Sequence, residues 1–170
     1  MKAGQGTTAV RTLIALGALG YAFLFALDPM LSGPPTAMSL ALYRAGQGLF
    51  APLGSTAGLV GGTLAQLCVP IALAGAFGLA EKNFASALVR LWVAQNIFNV
   101  SAWMRDSLHH RLPERFPAGP VPDWAGPLRD LGLEGREALT ANILHGIGLL
   151  VFFVALLRIL RFAPRRAPRK

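Results

Sequence analysis

Asn96, Asn99, Trp103 and Asp106 fall at spacings of three, four and three, which on a helix stacks them along one face. Amides, an indole and a carboxylate in such a stripe can hold a neighbouring helix or line a wet cavity. Asn142 and His145, three apart, form a second polar spot, and His109 and His110 follow Asp106 closely. A carboxylate and imidazoles are suitable ligands for zinc or iron. A metal reading therefore joins Asp106, His109, His110 and His145, with Asp106 and His110 four apart and able to share an ion if helix continues that far. The plainer reading makes Asn96, Asn99 and His145 interhelical hydrogen-bonding groups and the two adjacent histidines interfacial ones. Gln66 and Arg90 belong with them, the Arg90 stem reaching towards Glu81. No nucleophile has the G-x-S-x-G setting, and no Ser, His and Asp set is suggested by spacing. Gly58, Gly61 and Gly62 lie inside an apolar run, where packing rather than phosphate binding explains them.

The elements that must position these side chains are themselves apolar. Of 170 residues, 54% are hydrophobic, 14% are charged and 19 are glycine, too apolar a balance for a water-soluble domain of this size. The composition predicts an all-α integral membrane bundle. Runs of about 20 apolar residues, enough to cross about 30 Å of hydrocarbon, are expected at Thr12–Leu31, Thr56–Ala80, Phe84–Met104 and Ala138–Arg161. The first reads as an uncleaved signal anchor, since no small-x-small cleavage site precedes Asp28 and Pro29. A shorter segment, Thr36–Leu53, follows the breaker Ser32-Gly33-Pro34-Pro35 and carries Arg44 and Gln47 in its middle. The lone Cys68 excludes an internal disulfide.

Charge sets the expected topology. The net charge is +8, and the whole excess sits in Lys2, Arg11, Arg158, Arg161, Arg165, Arg166, Arg169 and Lys170, outside a neutral middle. Cations flanking apolar segments follow the positive-inside rule. They favour the bilayer and its anionic headgroups as partners of the tail, and they remove the case for nucleic acid. Two cytoplasmic termini require an even number of crossings. Four spans with Thr36–Leu53 as a short membrane-embedded helix satisfy this, and five spans are the alternative. Arg105–Glu137, with five arginines against six acids and five prolines, is then an external loop. Residues 1–161 form one transmembrane domain, and 162–170 a basic, disordered cytoplasmic tail.

Leu42-Tyr43-Arg44-Ala45-Gly46-Gln47-Gly48-Leu49-Phe50 resembles the H-E-A-G-H box of small bacterial membrane proteins related to site-2-protease-like zinc metallopeptidases. Further elements follow in that family's order. A glycine pair leads to Q-L-x-x-P, here Gly61-Gly62 and Gln66-Leu67-Cys68-Val69-Pro70. Then come Trp92 to Asn96 with its Q-N pair, Trp103-Met104-Arg105-Asp106-Ser107, Pro122-Asp123-Trp124, and Leu131-Gly132-Leu133. The likeness spans about Leu42 to Leu133, and it implies a metallopeptidase-like fold in a bacterial inner membrane.

The departures from that pattern govern the functional expectation. In an active H-E-x-x-H helix two histidines four apart bind zinc while the glutamate activates water. Here Tyr43, Arg44 and Gln47 occupy those positions, and Arg44 sets a cation where the base and a dication would meet. Pro122 and Asn99 stand where the resemblance leads one to expect histidine and aspartate. The chain is therefore expected to be a non-catalytic protein of metallopeptidase-like fold that needs no cofactor and binds or scaffolds another membrane component. The alternative is a membrane metalloenzyme with zinc at a relocated site around Asp106, His109, His110 and His145.

Overall fold

A computed structural model describes residues 3–27, 36–107 and 122–162. The described chain is all-helical, with no strand. Its helices are α1 (Ala3–Leu27), α2 (Ala37–Phe50), α3 (Ser55–Leu79), α4 (Asn83–Asp106), α5 (Ala125–Asp130) and α6 (Glu137–Phe162), with a 3-10 turn at Ala51–Leu53. The first helix begins nearer the N-terminus than Thr12. Residues 28–31 of the expected first span lie outside the described residues, as does the tail from 163.

Local chemistry sets several boundaries. Thr36 caps α2, its side-chain oxygen accepting from the Ser39 amide at 3.2 Å, which satisfies one of the otherwise free N–H groups of the first turn. Gly54, at φ 117°, turns the chain from the 3-10 segment into α3 through backbone space that a side chain rarely enters. Helix α2 holds 14 residues, about 21 Å at 1.5 Å per residue, short of the hydrocarbon thickness. Among the described residues, two helices are long and apolar enough to cross a membrane by themselves, Ser55–Leu79 and Glu137–Arg161. The expected crossing at Phe84–Met104 does not reach that measure, because α4 carries Arg90, Gln95, Asn96, Asn99 and Arg105 along its length.

Helix α4 is central, packing on α6 and on α3, while α2 lies against α3. One cluster, around Tyr43, Trp103, Trp124 and Leu128, fills one end. At the other end Ala15, Ala87 and Ile159 bring α1, α4 and α6 together, and Arg11 lies 5.2 Å over the Phe84 ring. Between them Ala18, Ala94, Phe98 and Phe152 continue the core. The crossing of α2 and α3 is close because both contribute glycine: a Cβ at Gly62 would come within 2.7 Å of the Tyr43 ring, and one at Gly46 would run into the Gly61 carbonyl. The outer face of α6 is apolar. Leu139, Ile143, Ile147, Leu150, Phe153 and Leu157 are all exposed along α6, and only 28% of its most apolar stretch is buried in the bundle.

Candidate functional site: a buried polar network

A group of enclosed polar side chains lies where α2, α3 and α4 meet. Ser39, Gln66 and Asn96 are each fully buried. The Ser39 hydroxyl donates to Asn96 Oδ1 at 2.6 Å, and the Trp92 indole N–H donates to Ser39 Oγ at 2.7 Å. Gln66 Nε2 reaches the same Asn96 oxygen at 3.2 Å. In return Asn96 Nδ2 donates to the backbone carbonyl of Gln66 at 2.9 Å.

Pro70 explains why that carbonyl is free. In an α-helix the N–H of residue 70 would bond the carbonyl of residue 66, but proline has no N–H. A buried carbonyl without a donor is costly, and Asn96 supplies the donor from the next helix. The Gln66 to Pro70 spacing and the Asn96 amide are thus two halves of one device.

One turn along each helix the network continues as Thr63 on α3 and Asn99 on α4. Antiparallel packing sets these two at the same level. Thr63 Oγ1, Asn99 Nδ2 and Gln66 Oε1 are buried without a hydrogen-bond partner. Beyond them the Tyr43 ring meets Trp103 edge-on, with centroids 5.6 Å apart, and Asp106 is buried at 2% exposure beside this aromatic end. The stripe Asn96, Asn99, Trp103 and Asp106 is therefore inward-facing throughout. Its members up to Trp103 are amide and indole groups, none of which is a general base or a nucleophile activated by one. They can bind and position through hydrogen bonds, and Asp106 adds a carboxylate at the end of the stripe.

Other expected residues are placed differently. Arg44 and Gln47 are exposed, whereas a cation and amide in an apolar segment are expected to turn inwards, with Asp106 as partner of Arg44. The inward face of α2 is taken by Ser39, Tyr43 and Gly46, and the glycine contact with α3 rotates Arg44 and Gln47 outwards. Asn142 is also exposed, not part of an inner face; it accepts from Arg105 at the end of α4. His145 is half-buried, its ring 4.9 Å from that of Phe98. Arg90 lies at the end of the bundle that carries Glu81, level with Arg158 of α6. Among the described residues no three His, Cys, Asp or Glu side chains gather as metal ligands; His109 and His110 lie outside them.

Ser39, Thr63 and Trp92 were not legible as site residues. A lone serine or threonine in an apolar run gives no signal, but the Gln66 to Pro70 spacing does mark a carbonyl that needs an outside donor. Compared with known families, curated proteins and solved structures, the chain matches none.

Proposed function

We propose that this chain is a non-catalytic, multi-pass membrane protein whose outer α2 surface binds another membrane component. The observation that carries the reading is the exposure of Arg44 in the middle of α2, beside exposed Gln47, Gly48 and Leu49. A guanidinium at the centre of a membrane helix costs about 2.5–3.5 kcal/mol on insertion scales, so this face calls for polar cover. An acidic or amide-bearing segment of a second membrane protein supplies it, with Leu49 and Met38 giving apolar contact around the charge.

The membrane setting is supported by two long apolar helices, by the exposed apolar rows of α6 and by the distribution of cations. Arg11, Lys82, Arg90 and Arg158 come from three helices and one turn, yet all sit at one end of the bundle. By the positive-inside rule that end is cytoplasmic. Four crossings with α2 embedded, both termini inside and a bacterial inner membrane complete the proposal. A metallopeptidase-like fold without its catalysis rests on the order of sequence motifs.

The test is a photoreactive residue at position 47 in native membranes, with Leu150 as a lipid-facing comparison. A discrete protein adduct from position 47, absent from 150 and lost with Arg44→Leu, is expected. Lipid adducts alone at both positions would reject the docking face.

A further inference from the structure

Arg90 and Arg158 lie at one level of the α4–α6 contact near the cationic end, beside Ala87, Leu91 and Ile159 of a single core cluster. Arg90 lies seven residues into α4 and Arg158 four residues before the end of α6. Both are about 6–10 Å from a helix end at 1.5 Å per residue, a depth from which long side chains reach the headgroup level. Among the described residues neither has a carboxylate within salt-bridge distance, the pair Arg129–Glu134 being far along the chain in the α5 region. Two like charges at one level of a membrane boundary call for an anion.

An apolar furrow of about 580 Å³ runs from Arg90 between α3, α4 and α6. Its walls include Ile71, Val93, Ile97, Ile147, Leu150 and Val154, and Arg90 is the one charged residue on it. Val154 stands one helical turn before Arg158, so the furrow leads from the arginine pair towards the middle of the bundle. A cationic mouth with an apolar trough behind it complements a molecule that is anionic at one end and hydrocarbon at the other.

We propose that this furrow binds an anionic phospholipid, its phosphate between Arg90 and Arg158 and one acyl chain along Val93, Ile97 and Val154. The inference rests on the membrane reading above, and basic pockets between membrane helices on the cytoplasmic side are suited to such headgroups. It differs from general attraction of the basic tail to the surface, because it needs two arginines of the folded bundle and a trough beside them.

Native mass spectrometry of the full chain, released from detergent with added dioleoylphosphatidylglycerol or dioleoylphosphatidylcholine, tests it. One phosphatidylglycerol is expected to be retained in preference to phosphatidylcholine. Loss of both basic contacts in R90Q/R158Q should weaken retention on the order of thirtyfold, while R161Q in the final turn should leave it within about twofold. Val154→Trp fills the trough without removing charge and should lower retention as well, and excess inorganic phosphate should not compete. Equal retention of the two lipids, unchanged retention in R90Q/R158Q, or displacement by inorganic phosphate would each overturn the proposal. Carbonate extraction of membranes containing the wild-type chain separates this from failure of the membrane reading: release into the soluble fraction defeats the latter, retention leaves the lipid result to stand alone.

Discussion

The backbone carbonyl of Gln66 and the side-chain amide of Asn96 form a hydrogen bond of 2.9 Å between α3 and α4, made possible because Pro70 cannot donate to that carbonyl. The Gln66 side chain returns a bond to Asn96 at 3.2 Å. These bonds register the two helices at one buried point, and the Ser86 hydroxyl of α4 donating to the Ala74 carbonyl of α3 at 2.8 Å does so at a second. Interhelical hydrogen bonds in lipid average about 0.6 kcal/mol and reach about 1.7 kcal/mol. Asn96→Ala removes the partner of Ser39, of the Gln66 amide and of the Gln66 carbonyl, so a loss of about 2–4 kcal/mol is expected.

Coupling gives a sharper measurement of the same device. Pro70→Ala restores an N–H to the helix and gives the Gln66 carbonyl a partner of its own. Asn96→Ala should then cost about 1 kcal/mol less in the Pro70→Ala background than in the natural chain. Unfolding of the four proteins in mixed micelles measures this, and strict additivity would show that Asn96 does not serve the freed carbonyl.

The close crossing of α2 and α3 predicts a contrast between glycines. A Cβ at Gly62 would lie 2.7 Å from Tyr43 Cε2 and 2.8 Å from the Tyr43 carbonyl oxygen, whereas one at Gly75 meets nothing within 4 Å. Gly62→Ala should destabilise by about 1–3 kcal/mol through overpacking. Gly75→Ala should be neutral or stabilising by up to about 1 kcal/mol, since alanine favours helix. Thermal unfolding in one detergent compares them directly.

Topology is tested with reporters fused after Lys170 and inserted at Gly119. The cytoplasmic reporter should be active at Lys170 and the external one at Gly119, because the cations of α1, α4 and α6 share one end of the bundle. An external C-terminus would overturn the four-crossing arrangement.

Restoring the degenerate box should not create a peptidase. Tyr43→His, Arg44→Glu and Gln47→His returns two imidazoles and a base at helical spacing, but zinc also requires a third protein ligand and an open position. Position 43 is buried under Trp103 while 44 and 47 are exposed, so ligands and base would not converge on one pocket. Metal analysis of the triple variant should find well under one zinc per chain, and a fluorogenic membrane peptide should remain intact. Chelator-sensitive cleavage by the natural chain would contradict the non-catalytic reading.

Several features were legible in the sequence because they depend on local order alone. The apolar runs identify α3, α4 and α6 to within one or two residues. The spacing of Asn96, Asn99, Trp103 and Asp106 assigns them to one face, since helical period is a property of the chain itself. The glycines of α3 announce close packing for the same reason: lack of a side chain is visible without knowing the neighbour. What tertiary structure decided is which neighbour each face meets. Gly46 against Gly61 rotates α2 so that Tyr43 and Ser39 turn in and Arg44 turns out, although cost at lipid alone argues for the reverse. Asn142 finds Arg105 on the surface instead of an inner partner. These outcomes depend on how whole helices fit together, and the gain from closing two backbones over many residues exceeds what any one polar side chain can demand.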